Sequence, residues 1–312
     1  MSKTAERPLL VVDKGATVAF ADLPPRSIAL DGYVQGPHVD AGRERYSFDH
    51  HGGCVRHATL STCEQVLDAL RVGLNPGAYT LYVNDLDADT MLSVWLLRRP
   101  EAAQLEAVAS AVRAVGRVDA LGPAIGGPGM VPALRWALEP MLSAVDLRGA
   151  TADEWLQCVA ACERRLDDWC DAGAPPSSPA MPVSDPPATD MNVLFNGGYW
   201  QLVESAVGLG AFAAVYATGV RAAIVLRTLA DGTNEYTVGK ASEFVSIFDV
   251  PALLADLAKA ELKVNPQQDP MRTWGGGSTI GGSPRNADGS ASRLDWSQVV
   301  EVAVRCSRGA GT

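Results

Sequence analysis

Short apolar runs separated by polar stretches rich in glycine and proline organise the first half of the chain. Leu9-Leu10-Val11-Val12, Ser27-Ile28-Ala29-Leu30, Tyr46-Ser47-Phe48 and Tyr79-Thr80-Leu81-Tyr82-Val83 have the length and the β-branched or aromatic content of strands. Helical periodicity takes over from about Ser61 to Val72 and from about Thr90 to Arg98. It returns near Ala102 to Val115, Pro132 to Val145 and Ala152 to Asp171. Strands alternating with helices predict an α/β domain with a parallel, doubly wound sheet over residues 1–172.

The periodicity then stops. Ala172-Gly173-Ala174-Pro175-Pro176-Ser177-Ser178-Pro179 through Pro186-Pro187 reads as a linker or long surface loop, set at residues 173–190. Residues 191–312 form a second, smaller α+β domain in this reading. It starts with a helix near Tyr199 to Val207. A hairpin follows, pairing Ala222 to Arg227 with Glu235 to Gly239 across the Asp231-Gly232 turn, then a helix from Pro251 to Glu261 and the glycine-rich run Trp274 to Arg285.

A chain of 312 residues with 47% hydrophobic content can fill two cores. The net charge of −10 argues against binding long nucleic acid, which needs a basic track, but leaves room for a small anionic substrate held through a metal. No apolar run nears the roughly 20 residues of a membrane span, and the first residues lack the apolar stretch of a secretory signal. A cytoplasmic protein without membrane contact is expected. The six cysteines read as thiols; Cys158, Cys162 and Cys170 recur on one helix face and suit burial better than a soft-metal site.

All four histidines, His38, His50, His51 and His57, lie close together, and two of them close the tripeptide Asp49-His50-His51 directly after a strand. A second acidic knot, Asp85-Leu86-Asp87-Ala88-Asp89, follows the strand ending at Val83. Imidazole and carboxylate at strand ends are the ligand set of Mn, Fe and Zn, and parallel strands open their carboxyl ends onto one crevice. Three carboxylates within five residues repel one another unless a cation or protons neutralise them, which favours Asp85 and Asp87 as ligands over a turn and helix cap. Asp89 is the one of the three best explained as a cap. His38 is either a further ligand or a solvated loop residue. Arg56 and His57, beyond the flexible Gly52-Gly53, either meet an anion or sit on the surface. In the glycine-rich run, Gly276, Gly277 and Ser278 could bring backbone N–H groups to an anion, with Arg285 adding a guanidinium fork.

Phe48-Asp49-His50-His51, with the Ser/Thr-rich turn Thr59-Leu60-Ser61-Thr62 ahead of a helix, resembles the signature of the DHH phosphoesterases. Val83-Asn84-Asp85-Leu86-Asp87-Ala88-Asp89-Thr90 is similar to that family's DxDxD motif, most of all in its single-strand exonuclease branch. Asp31, after Ile28-Ala29-Leu30, is placed like the family's lone bridging aspartate, and Asp119, in Val115-Gly116-Arg117-Val118-Asp119, resembles its late aspartate motif. The resemblance implies a divalent metal site of Asp31, His50, Asp85, Asp87 and Asp119, with Mn²⁺ the expected ion and Fe²⁺, Zn²⁺ or Mg²⁺ as alternatives. It gives His51 the role of phosphate donor or general acid, and makes the C-terminal half similar to the DHH-associated substrate domain. The implied activity is metal-dependent hydrolysis of a phosphoester or phosphoanhydride of a small molecule or nucleotide; a homodimer is compatible with it. Two departures stand out. The DxDxD-like knot follows the tripeptide instead of preceding it, and Leu81 and Ser278 occupy positions where the family carries histidine. They keep open a repurposed metal enzyme acting on a carboxylate or amide, or a degenerate metal- or nucleotide-binding protein.

Overall fold

The computed structural model describes residues 7–122, 130–142, 150–176, 191–206, 209–247, 249–284, 286 and 289–307. The chain divides into two compact units, Met1–Ala120 with Gly127–Pro182 and Leu121–Gly126 with Val183–Thr312. Both are built from strands and helices, so the chain is of the α/β class. No described helix is long and apolar enough to cross a membrane.

In the first unit, strands β1 (Leu9–Val12), β2 (Ser27–Leu30), β3 (His38–Asp40), β4 (Arg45–Phe48) and β5 (Thr80–Val83) form a sheet of order β1-β5-β2-β4-β3. All neighbours are parallel except the edge pair β3 and β4. Because side chains alternate along a strand, Leu10, Ile28, Leu30, Leu81 and Val83 join one core. That core is shared with the helices α1 (Thr62–Arg71), α2 (Ala88–Arg98), α3 (Glu106–Leu121), α4 (Pro132–Ala137), α5 (Glu139–Leu142) and α6 (Ala152–Asp171). Ala29 and Tyr82 face the other way, onto Leu23, Tyr33 and Val34 from the segment between β1 and β3.

Helix α2 is buried almost all round, and the indole N–H of Trp95 is satisfied by Asp167 Oδ1 at 3.0 Å. The sequence places α3 at Ala102 to Val115; it runs later, after a short 3₁₀ turn over Pro100–Gln104. The helix expected from Pro132 to Val145 is divided at Leu138, beside Pro140, which has no N–H to continue the first piece. Most of the expected linker, residues 177–190, lies outside the described residues.

In the second unit β6 (Met191–Asn196), β7 (Trp200–Ser205), β8 (Ala222–Thr228), β9 (Asn234–Lys240), β10 (Gly275–Gly276) and β11 (Ile280–Gly282) form a sheet of order β10-β11-β9-β8-β7-β6. The expected hairpin is the antiparallel pair β8 and β9. The helix expected near Tyr199 to Val207 is strand β7, parallel to β8. Trp200 and Leu202 enter one core while Val203 enters the other. Leu202 and Val203 are adjacent and buried on opposite faces, which breaks the alternation that marks a strand, while Trp200, Val203 and Val207 fall at helical spacing in the sequence. Helices α7 (Leu209–Ala217), α8 (Val250–Val264) and α9 (Trp296–Cys306) complete this unit.

Candidate metal centre

The register of the first sheet sets the site. Leu30 pairs with Phe48, and Ala29 with Tyr82, so β2, β4 and β5 end side by side, and Asp31, Asp49 and Asn84 follow their ends. Asp31 stands at φ 51° and is followed by Gly32 at φ 87°. Asp tolerates this left-handed region better than most side chains, and the turn holds its carboxylate at the sheet edge. The Asp31 N–H donates to Phe48 O at 3.0 Å, tying the turn to the strand that leads into the histidines.

His50 is fully buried, and neither ring nitrogen makes a hydrogen bond. Its Nε2 lies 2.9 Å from Asp119 Oδ2, 3.5 Å from Asp31 Oδ1 and 3.6 Å from Asp89 Oδ2. These are charge contacts without hydrogen-bond alignment. Burial alone would lower the pKa of His50, but Asp119 and Asp31 outweigh it and push the group up to about 10. A buried imidazole without partners, facing three carboxylates, is the donor set a divalent cation needs. Asp31, His50 and His51 form one group whose ligand atoms lie within 4.8 Å of one another, and His50, Asp89 and Asp119 form another. This buried Asp/His cluster can hold a metal ion.

Two helix N-termini supply the donors that hold the carboxylates. Asp89, in the first turn of α2, accepts the N–H groups of Thr62 and Cys63 at the start of α1, each at 2.8 Å. Asp87 caps α2 itself, accepting the Thr90 N–H at 2.8 Å. Burial, then the charges of Asp31 and Asp119, raises Asp89 to about 7. Asp87 is raised well above the usual carboxylate range; withdrawal from water and the charges of Asp31, Asp119 and Asp89 all act in that direction. Asp87 is exposed, so the neighbouring charges act on it more than withdrawal from water. Burial also opposes the charge on Asp31, yet His50, His51 and the Thr62 hydroxyl hold its pKa below the usual range.

Asp49 is fully buried and orients His51: its Oδ1 meets His51 Nδ1 at 2.9 Å and accepts the His51 N–H at 3.1 Å, while Oδ2 accepts the Gly36 N–H at 2.6 Å. Burial raises Asp49, and the hydrogen bonds from His51 and the Gly36 N–H more than offset it, leaving the carboxyl below its usual range. His51 itself is raised, chiefly by Asp49. Its side chain is 42% exposed, and Nδ1 also lies 3.5 Å from Asp31 Oδ1.

The structure thus brings together Asp31, His50, His51 and Asp119 from the residues the sequence points to, and adds Asp89, for which the sequence suggests only a cap. Asp89 does cap a helix, but it is α1 and not its own. One signal pointed to it: an acidic residue at the start of the otherwise apolar helix Met91-Leu92-Ser93-Val94-Trp95-Leu96-Leu97 has to find partners. Asp87 approaches the cluster through its charge but belongs to neither ligand group. Asp85 is exposed, and its Oδ1 accepts the Leu86 N–H at 2.8 Å, so it closes its own turn outside both groups. His38 is on the edge strand β3, exposed, stacked on Phe20 at 4.8 Å and in contact with Gln35 O at 3.1 Å; it takes no place in either group. Arg56 donates to Asp119 O at 3.3 Å, which puts it beside the cluster, while His57 is exposed.

In the second unit, Gly276, Gly277 and Ser278 lie exposed at the tip of the β10 and β11 hairpin, closed by the Gly277 N–H to Ile280 O bond at 2.7 Å. Arg285 lies outside the described residues. Comparison with models of known protein families and with curated protein sequences gives no match.

Proposed function

We propose that this protein is a metal-dependent hydrolase that cleaves a phosphoester or phosphoanhydride of a small molecule or nucleotide, in the manner of the DHH phosphoesterases its motifs resemble. The observation that carries this reading is His50, a fully buried imidazole with no hydrogen-bond partner and three carboxylate oxygens within 3.6 Å. In the metal-free protein, a proton on this ring is what balances the carboxylates. A divalent cation, Mn²⁺ by preference, would balance them better, held by Asp31, His50, Asp89 and Asp119. When bound, such an ion activates water and neutralises phosphoryl oxygens.

The protein's own groups do the rest. Asp49 occupies Nδ1 of His51, which leaves Nε2 as the ring nitrogen to meet a substrate oxygen, and the raised pKa keeps a proton available there for a leaving group. Arg56, anchored on Asp119 O, would pair with a substrate oxygen at the rim. The test is metal content of the purified protein, followed by phosphate release from a panel of nucleotides and phosphomonoesters with Mn²⁺. Bound metal with phosphate release is the expected result. Bound metal without release from any of them would favour the carboxylate or amide substrate, and absence of metal binding would refute the reading.

A further inference from the structure

Asp31 is gripped at both ends. Its Oδ1 accepts the Thr62 hydroxyl and its Oδ2 the Thr90 hydroxyl, each at 2.9 Å. The same two threonines hold the other acids of α2: the Thr62 N–H meets Asp89 Oδ2, and the Thr90 N–H meets Asp87 Oδ1, both at 2.8 Å. Each threonine therefore links two carboxylates, one through its backbone and one through its hydroxyl. Both threonines are fully buried, and each sits in the first turn of a helix, Thr62 in α1 and Thr90 in α2.

We propose that Thr62 and Thr90 are positioning residues that fix the carboxylate of Asp31 in the ligand set of the metal centre. The proposal rests on the reading of the cluster as a metal site. A carboxylate oxygen has two lone pairs, so each oxygen of Asp31 spends one on a threonine and keeps one for a cation. Held at both oxygens, the carboxylate cannot turn without breaking one of these hydrogen bonds. Without the hydroxyls, Asp31 is free to turn fully onto His50, whose Nε2 lies 3.5 Å from Oδ1. That ion pair would compete with the metal.

Valine removes the hydroxyl of threonine while keeping its shape and its backbone N–H, and serine keeps the hydroxyl. Mn²⁺ affinity of the full chain, measured by titration calorimetry, is expected to fall about 10- to 100-fold in Thr62→Val and in Thr90→Val, as losing a group that orients a ligand does. Thr62→Ser and Thr90→Ser should stay close to the unchanged protein. A purely structural role would lower the melting temperature without separating valine from serine in metal affinity. If Thr62→Val does not fold, Thr90→Val reads the same clamp from the other helix. Valine variants that bind Mn²⁺ as tightly as the unchanged protein overturn the assignment of the threonines alone. An unchanged protein that binds no Mn²⁺ overturns the metal reading with it.

Discussion

The carboxylate of Asp89 caps the helix of Thr62, a residue 27 positions earlier in the chain, through an N–H bond of 2.8 Å. Its other oxygen takes the next N–H, that of Cys63, so one side chain of α2 satisfies two of the donors that a helix start leaves open. Asp89→Ala leaves both N–H groups buried without partners. A loss of about 2 kcal/mol is expected, the scale of a missing cap with unpaired donors. Denaturant unfolding at about pH 5 is the condition to use. With Asp89 raised to about 7, the carboxyl is uncharged there, so its removal relieves little repulsion. Unchanged stability at that pH would show that water replaces the carboxylate and that the contact is incidental.

Asp85 and Asp119 separate two kinds of acid. Asp85 is exposed and bonded within its own turn, whereas Asp119 Oδ2 stands 2.9 Å from His50 Nε2. Asp119→Ala should lower Mn²⁺ affinity by at least about 100-fold, the upper end of what loss of a supporting group costs. Asp85→Ala and His38→Ala should leave it within about twofold. Elemental analysis after dialysis measures both. Metal loss in Asp85→Ala would return that residue to the ligand set.

The two strand-end motifs and most elements of the first unit were legible in the sequence because the chain there alternates strand and helix, and the runs of β1, β2 and β4 each stop at an aspartate, with Asp85 one residue past the Asn84 that follows β5. The choice among Asp85, Asp87 and Asp89 was not legible. It depends on where α2 starts: with Ala88 as its first residue, Asp87 becomes the cap and Asp89 turns inward toward α1. A start two residues later, at Thr90, would make Asp89 the cap instead, and helix ends are the least certain part of any sequence reading. His38 misled for another reason. It is close to His50 in sequence, but it lies on the exposed edge strand β3, opposite Ser47, with its ring stacked on Phe20. In the second unit, β7 was hidden by burial on both of its faces.

Stability and metal binding should respond to pH in opposite directions. His50 is pushed up to about 10 from an ordinary 6.5, and Asp89 up to about 7 from 3.8. A raised pKa means that the folded chain binds more protons than the unfolded one, so stability falls as pH rises. The His50 contribution is complete below about 6.5 and is lost as pH passes through about 10; that of Asp89 is complete below about 3.8 and is lost through about 7. Asp31 and Asp49, both lowered, contribute above 3.8 and do not change in this window. The metal-free melting temperature should therefore drop between about pH 5 and pH 10. Mn²⁺ must displace the proton on His50, so the rise in melting temperature that it gives should grow over the same range. Thermal scans with Mn²⁺ and with a chelator, across that range, test both; a metal-induced rise that shrinks toward alkaline pH would contradict His50 as a ligand.

Gly116 sets how closely α3 can bring Asp119 to the cluster. A Cβ on this residue would lie 2.7 Å from Glu64 Cγ and closer still to Ser61 Oγ, both at the start of α1. Asp119 follows three residues later on the same helix, so the glycine is the contact point that lets its carboxylate reach His50. Alanine in a helix interior is ordinarily favoured over glycine by up to about 1 kcal/mol, and overpacking costs about 1–3 kcal/mol. The two effects oppose each other, and the clash with a helix start that is itself tied to Asp89 should prevail. Gly116→Ala is expected to lower stability by about 1–2 kcal/mol and to weaken Mn²⁺ binding by moving Asp119 away from His50. A variant that is more stable than the unchanged protein and binds Mn²⁺ equally well would show that α3 can withdraw from α1 without disturbing the site, and that the close approach at Gly116 has no part in building it.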